Sequence, residues 1–300
     1  MALAAIGALL LLGGGGMQAR GTEGVADAAA EAALRKYADK GVKADEIGIA
    51  LCRLDGKRIM VLDGYRQDEA MYPASVVKLF YLTYLAHQLE KGRLKKTDEI
   101  ERAAKDMIVE SDNDATNWIL EILTGATSGP ELDASALKRW MSQRQAVNRY
   151  FSGLGYKDVN ACQKTWYSGP YGRERQGYGP NFEHRNSLTP SACTRLLSEI
   201  MTDRLVSPAR CEWMRGYLSR KIPADSKDAD SQSKGYSGQA LPSGTKLWSK
   251  AGWTETVKHD VAAVETKDGR RFVWAIFTKS HSDIADLVPF IAGELLKGLL

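Results

Sequence analysis

The sequence predicts an α/β fold of the α+β type: one antiparallel sheet formed from both chain ends and flanked by helices, with an all-helical subdomain inserted between. Strand-like runs lie near the two ends, within 47–62 and 246–279, and helical periodicity fills the middle. Apolar residues make up 44% of the 300 residues and charged residues 26%, which is the composition of a globular chain. A chain of this length buries a substantial core without metal or disulfide support.

The strand-like runs assign the sheet to the two chain ends. We expect a sheet subdomain over about residues 22–65 and 222–300, and a helical subdomain over about residues 66–221. Turns at Asp55-Gly56-Lys57 and Lys267-Asp268-Gly269 join neighbouring runs and predict hairpins. The runs themselves are 47–53, 59–62, 246–252, 258–266 and 271–279.

Helices are predicted from the spacing of apolar or alanine residues. The segments are 22–40, 75–91, 98–123, 131–151, 190–202, 207–219 and 283–299. Gly92 ends the second of these, and Pro190 suits the first turn of the fifth. Residues 163–187 are rich in Gly, Tyr, Arg and Asn without a clear period, which predicts a long loop, and 221–245 predicts a solvated connection.

The first 21 residues predict a secretory signal peptide. Residues 2–16 are largely apolar but too short to span a bilayer comfortably, and a glycine run followed by Gln18-Ala19-Arg20 ends the stretch. No Lys or Arg precedes the apolar part, so a misassigned start codon or a short buried helix is the alternative. We expect a secreted or periplasmic protein whose mature chain has no membrane span.

Charge and cysteine content argue against two classes of function. The net charge is only +4 without a dense basic block, which argues against nucleic-acid binding. The four cysteines, Cys52, Cys162, Cys193 and Cys211, lack the spacing of a zinc site. In an exported protein Cys193 and Cys211 could pair, and four separate buried thiols are the equal alternative.

Ser75 and Lys78 lie at the start of a predicted helix, where residues three apart share a face and can touch. A serine hydroxyl needs a base to become nucleophilic, and a partly buried lysine with a lowered pKa can be that base. Backbone N–H groups at the helix start add positive potential beside the serine oxygen. The pattern S-x-x-K is common by chance, so its alternative is a helix-start serine with a solvated lysine.

Two further motifs raise the specificity of this pattern. Ser111-Asp112-Asn113 precedes an apolar helix and would by itself be a helix N-cap. Lys250-Ala251-Gly252 ends a strand-like run and would by itself be a glycine bulge. Together, S-x-x-K, S-D-N and K-x-G have the order and contexts of class A β-lactamases and penicillin-binding proteins. The chain resembles class A-type serine hydrolases of this family over about residues 40–300.

The resemblance implies a catalytic role for three residues. Ser75 would be the acylated nucleophile, and Lys78 would be its base or proton relay. Ser111 would pass the proton to the leaving nitrogen. The resemblance implies no metal or organic cofactor.

The resemblance also implies the residues that bind the substrate. Asn113 would hydrogen-bond the acyl-side amide, and Lys250 would supply positive potential for a carboxylate and help depress the pKa of Lys78. The backbone N–H groups of Ser75 and Trp253 would form the oxyanion hole. Gly252 and Thr254 complete this set.

The chain departs from the family pattern at two functional points. Ala251 stands where the family carries a hydroxyl that bonds the substrate carboxylate, and Thr254 is the candidate replacement. The glutamate that activates water for deacylation lacks its Glu-x-x-x-Asn spacing. Glu174 and Glu183 are the candidates for this base, and a loop salt bridge is the alternative for each. We expect Asn186, next to Arg185, to close the loop structurally.

Histidine chemistry finds little support in the sequence. His259 starts a strand that could border the cleft, although a strand-edge histidine is the commoner state. His281 has no motif around it, and Glu183-His184 has no nucleophile beside it, so a Ser-His-Asp triad is not supported.

Three functions remain open from the sequence. The first is a β-lactamase-like hydrolase that opens a β-lactam or related amide through an acyl-enzyme. The second is a D-Ala-D-Ala peptidase or an esterase that β-lactams inhibit. The third is a penicillin or peptidoglycan sensor or binding module that is acylated and held. We expect a small-molecule or peptidoglycan-like substrate and a monomer.

Overall fold

The computed structural model describes residues 24–222 and 232–300, so the predicted signal peptide lies outside the described residues. The strands are β1 (Ile47–Asp55), β2 (Arg58–Tyr65), β3 (Ser219–Arg220), β4 (Lys246–Trp253), β5 (Val257–Glu265) and β6 (Arg271–Lys279). They form one sheet in the order β2-β1-β6-β5-β4-β3, and all neighbouring strands are antiparallel. The pairing of β1 with β6 joins the two chain ends at the centre of the sheet, which confirms the predicted fold class.

The helices lie around this sheet. They are α1 (Val25–Lys36), α2 (Lys78–Glu90), α3 (Asp98–Lys105), α4 (Asn113–Thr124), α5 (Ala134–Arg144), α6 (Ala146–Gly153), α7 (Gly172–Gly177), α8 (Pro190–Met201), α9 (Pro208–Leu218), α10 (Ser237–Ala240) and α11 (Leu287–Leu299). Short 3-10 turns cover Ala38–Lys40, Ala44–Glu46 and Ala74–Val77, and a π-helical turn covers Asp106–Glu110. No helix in the described ranges is long and apolar enough to cross a membrane.

Four predicted elements differ from the structure. The segment 221–245, predicted as a solvated connection, contains α10 in its described part, and Gln232, Ser233 and Ser237 there are buried because they pack against the sheet. The continuous helical pattern over 98–123 is interrupted, because Ser111 adopts the left-handed conformation with φ 58° and Asp112 then caps α4 by accepting a hydrogen bond from the backbone N–H of Ala115. The pattern over 131–151 is divided at Gln145 into two helices. The predicted loop 163–187 contains the six-residue helix α7, which is too short to show a period in sequence.

Two hydrophobic cores lie on opposite faces of the sheet. Since successive side chains of a strand alternate, Val273 and Ala275 of β6 face the core shared with α2, α4, α8 and α9. Trp274 and Ile276 face the core shared with α1 and α11. The four cysteines are free and buried, so the pairing of Cys193 with Cys211 does not occur.

Candidate active site

Ser75 lies in the 3-10 turn that leads into α2, at the point where the end of β4 passes. The side chain is half-buried. Gly252 of β4 comes so close that a Cβ atom there would lie 2.9 Å from the Ser75 backbone N and 2.7 Å from the Pro73 carbonyl oxygen. Real Cβ atoms do not approach so closely, so this contact requires glycine. The close approach of the Gly252 and Ser75 backbones therefore explains the glycine of the K-x-G motif.

Lys78 is fully buried and its amine points to the segment that carries the S-D-N motif. Its Nζ lies 2.5 Å from the Ser111 carbonyl oxygen, 2.8 Å from Asn113 Oδ1 and 3.3 Å from Ser111 Oγ. Burial lowers the pKa of Lys78 to about 7, and the nearby Asp112 opposes this shift. A large fraction of neutral amine is therefore present at neutral pH, as a base requires. Ser75 Oγ is not among the acceptors described for the Lys78 amine.

Ser111 brings the two motif lysines together. Its left-handed backbone conformation is uncommon for a residue other than glycine, and such conformations concentrate at functional sites. Its Oγ accepts a hydrogen bond from Lys250 Nζ at 3.0 Å and from Lys78 Nζ at 3.3 Å. One hydroxyl thus lies between two buried amines.

Lys250 is fully buried on β4, and its amine contacts three oxygens within the described part of the chain. Its Nζ donates to Ser111 Oγ, to Gln232 Oε1 at 2.6 Å and to the Ala251 carbonyl oxygen at 2.8 Å. Burial lowers the pKa of Lys250 well below its ordinary value, and the charges of Lys78 and Arg220 lower it further. Gln232 was not identified from the sequence, because it lies in a polar segment without periodicity and no motif includes it.

The side chain of Ala251 points away from the cleft. It belongs to the core on the α1 and α11 face of the sheet, whereas Lys250, the preceding residue, faces Ser111. The Oγ1 of Thr254, the candidate replacement, accepts hydrogen bonds from the backbone N–H groups of Thr256 and Val257 at 3.2 Å. The chain therefore lacks the carboxylate-binding hydroxyl of the family at position 251.

An open cavity of about 880 Å³ lies above these groups. Its lining includes Ser75, Ser111, Asn113, Trp253 and Thr254, which the sequence singled out, and also Glu110, Trp166, Tyr167, Arg185, Glu255 and Thr256. Trp253 and Tyr167 are 45% and 79% exposed, so both offer aromatic surface to a bound molecule. The cavity has the size of a small-molecule site.

Glu174 does not line this cavity, because it is held in a buried ion-pair network. Arg144 donates to both of its carboxylate oxygens at 2.7 and 2.8 Å, Lys164 Nζ lies 3.3 Å away, and Ser128 Oγ donates at 2.8 Å. Glu174 is 1% exposed. This arrangement corresponds to the salt-bridge alternative for Glu174.

Glu183 does not line the cavity either. It is exposed, and it accepts a hydrogen bond from the backbone N–H of Asn181. Asn186 closes the loop as predicted: its Oδ1 accepts from the backbone N–H groups of Cys162 and Gln163, and its Nδ2 donates to the Gln163 carbonyl oxygen. The sequence therefore identified the structural asparagine of the loop, but the structure brings neither candidate glutamate to Ser75's cavity.

His259 and His281 both have structural partners. His259 is buried; its Nδ1 accepts from the backbone N–H of Thr278, so its Nε2 carries the proton and donates to the Tyr72 carbonyl oxygen at 2.9 Å. Burial lowers the pKa of His259 to about 4, so the ring is neutral. His281 pairs with Glu46 at 2.9 Å. His259 ties β5 to the segment just before Ser75.

The comparison with known proteins gives a family and a fold. A model of the β-lactamase enzyme family matches residues 29–106 and 99–293. No curated protein matches the chain. A β-lactamase from Sphaerobacter thermophilus is 19% identical with a TM-score of 0.65, covering 91% of this chain and 95% of that chain. A class A β-lactamase from Mycobacterium abscessus is 14% identical with a TM-score of 0.64, and the match covers 90% of this chain and 99% of that chain.

A representative class A β-lactamase from Bacteroides cellulosilyticus gives the same result, at 17% identity and a TM-score of 0.63, covering 92% of this chain and 98% of that chain. Identities this low show a shared fold alone. The family match, in contrast, spans most of the sequence, including all three motifs. The chain therefore belongs to the β-lactamase enzyme family, as a β-lactamase-like serine hydrolase with the class A fold.

Proposed function

We propose that the protein opens a β-lactam or a related amide through an acyl-enzyme on Ser75, and that it hydrolyses this acyl-enzyme slowly. The observation that carries the proposal is the position of Ser111 Oγ between the amines of Lys78 and Lys250. Ser75 and Ser111 line the same cavity. The proposed nucleophile, Ser75, and the proposed proton carrier, Ser111, can therefore reach the same bound substrate.

The proposed acylation moves one proton and exchanges two bonds. Neutral Lys78 takes the proton of Ser75 as the serine oxygen bonds to the carbonyl carbon. The tetrahedral oxyanion is bound by the backbone N–H groups of Ser75 and Trp253. When the carbon–nitrogen bond breaks, Ser111 gives its proton to the leaving nitrogen and regains one from Lys78. The close approach of Gly252 to the Ser75 backbone supports this oxyanion hole.

Slow deacylation is proposed because the two candidate bases lie elsewhere. Glu174 has its oxygens committed to Arg144, Lys164 and Ser128, and Glu183 is exposed away from the cavity. A water molecule attacking the acyl carbon needs a base to take its proton. Since neither candidate glutamate reaches the cavity, we expect the acyl-enzyme to accumulate, and Glu110 and Glu255, which do line the cavity, are the carboxylates left to test as this base.

One incubation tests the proposal. The protein is mixed with a chromogenic cephalosporin while absorbance reports turnover and intact-protein mass spectrometry reports the adduct. We expect an adduct that builds up and decays slowly. Fast turnover without a detectable adduct would contradict slow deacylation, and neither adduct nor turnover would contradict β-lactam acylation.

A second candidate function is ester hydrolysis, which the environment of Ala251 favours over substrates that carry a carboxylate beside the scissile bond, as β-lactams and D-Ala-D-Ala peptides both do. The side chain of Ala251 lies in the core. The Lys250 amine donates its three hydrogen bonds to protein oxygens, so none is left for a substrate. A substrate carboxylate would therefore be anchored weakly. Release of product from an ester, together with poor turnover of lactams, supports this candidate, whereas efficient release of D-Ala from a D-Ala-D-Ala peptide supports the peptidase alternative instead. The proposed secreted or periplasmic location depends on the sequence of residues 1–21.

A further inference from the structure

We propose that Gln232 is a positioning residue of the active site, which holds the Lys250 amine against Ser111 and favours its charged form. The inference rests on the proposed function for its consequence in catalysis, but its structural part can be tested separately. Gln232 is 3% exposed and lies in the segment that follows the undescribed residues 223–231. It touches Lys250 and the chain just before Ser111, without lining the cavity.

Four hydrogen bonds to residues that the structure describes fix the amide orientation of Gln232. Oε1 accepts from Lys250 Nζ at 2.6 Å and from the backbone N–H of Ala251 at 3.1 Å. Nε2 donates to the carbonyl oxygens of Ile108 at 2.7 Å and Val109 at 2.8 Å. The reversed amide would place an NH₂ group against two donors and an oxygen against two acceptors. Only one orientation is therefore compatible with these neighbours.

The carbonyl groups that Gln232 binds come from an interrupted helix. The π-helical turn Asp106–Glu110 ends at Ser111, so its last carbonyl oxygens lack the partners that a continuing helix would supply. Gln232 binds two of them, and Arg220 also donates to the Ile108 carbonyl oxygen, at 3.1 Å. One amide side chain thus connects β4 to the segment whose end places Ser111.

The charges around Lys250 explain why this contact matters. Lys78 approaches from α2 and Arg220 from β3, and both repel the ammonium form of Lys250. Asp260 of β5 favours that form, but its side chain belongs to the other face of the sheet, where it accepts a hydrogen bond from the backbone N–H of Ser237. The Oε1 of Gln232 is a negative dipole end 2.6 Å from Nζ. It compensates part of the cost of burying this charge.

Two substitutions at Gln232 separate its charge effect from its packing. Gln232→Glu keeps the size and the acceptor toward Lys250, adds a negative charge and loses the two hydrogen bonds to Ile108 and Val109, whereas Gln232→Leu loses these two bonds and the acceptor as well. Gln88→Leu is the matched control, since Gln88 is also buried but lies ten residues along α2 from Lys78, about 15 Å away. The titration of Lys250 in the free protein is followed by NMR with isotope-labelled lysine and assigned with Lys250→Arg.

We expect the titration midpoint of Lys250 to rise by about one pH unit or more in Gln232→Glu and to fall in Gln232→Leu. The alkaline limb of the acylation rate should shift in the same directions, and Gln88→Leu should shift neither. Unchanged Lys250 titration in Gln232→Glu, or an equal shift in the Gln88 control, would overturn the inference. If the wild type forms no adduct, the proposed function fails, and the NMR titration still decides the role of Gln232. Should Gln232→Leu not fold, the Gln232→Glu titration decides alone.

Discussion

Lys78 and Lys250 direct their amines at the same oxygen, Ser111 Oγ, from 3.3 Å and 3.0 Å. Both side chains are fully buried, so burial and mutual repulsion disfavour two charges. The serine oxygen accepts from both amines through its two lone pairs, so neither hydrogen bond uses the proton of the hydroxyl itself. The arrangement suits a pair that shares one positive charge, with Lys78 neutral and Lys250 charged during acylation, and its apparent pKa values belong to the pair.

The first prediction concerns the pH dependence of acylation. Burial lowers the pKa of Lys78 to about 7, so below that pH the amine is protonated and cannot take the Ser75 proton. We expect the acylation rate to rise with pH through about 7. Lys78→Arg, which stays charged, should lower the rate by about 10²-fold or more at every pH. A flat profile from pH 5 to 8, as stopped-flow or quenched mass spectrometry would measure it, contradicts the role of Lys78 as base.

The second prediction concerns the nucleophile. Ser75→Ala should abolish the covalent adduct with a penicillin and leave the thermal unfolding midpoint within about 1 °C, because the half-buried hydroxyl makes no described hydrogen bond. Ser142→Ala, at an exposed serine of α5, should form the adduct at the wild-type rate. An adduct of normal mass on the Ser75→Ala protein would assign the nucleophile to another residue.

The sequence predicted the features of the site that depend on local pattern. The antiparallel sheet from both chain ends follows from alternating apolar runs, and the three motifs carry their structural context with them. The sequence also placed Asn186 at the loop closure. These residues are recognisable because a motif or a short-range spacing defines each one.

Residues whose roles depend on contacts with distant parts of the sequence could not be predicted from local patterns. Gln232 meets Lys250 across 18 residues and Ile108 across 124. Lys78 was expected to touch Ser75 one turn away, but its amine binds the Ser111 segment 33 residues on. Glu174 meets Arg144 only because α5 and α7 pack together. Tertiary packing, rather than sequence spacing, decides each of these partners.

The third prediction concerns the close approach of β4 to the nucleophile. Gly252→Ala would place its Cβ 2.9 Å from the Ser75 backbone N, so the strand and the 3-10 turn must separate. We expect acylation to slow by about 10²–10³-fold, the usual cost of losing an oxyanion-hole donor. Gly216→Ala in α9, where a Cβ meets no atom within 4 Å, should stabilise the fold by about 0.5–1 kcal/mol and leave acylation unchanged. Equal acylation rates in both variants would show that this contact does not shape the oxyanion hole.

The last prediction separates a structural from a catalytic Glu174. Glu174→Gln would leave Arg144 as a buried charge without a carboxylate partner among the described residues, whereas Lys164 keeps its ion pair with Glu121; stranding one buried charge typically costs about 3–5 kcal/mol of the free energy of unfolding. Glu183→Gln, at an exposed position, should cost less than about 0.5 kcal/mol. Urea denaturation measures both. Since neither carboxylate lines the cavity, the lifetime of the acyl-enzyme in the folded fraction should match the wild type in both variants. A Glu174→Gln protein that keeps its stability but holds its acyl group much longer would make Glu174 the deacylation base, because a merely structural carboxylate affects unfolding and not the attack of water.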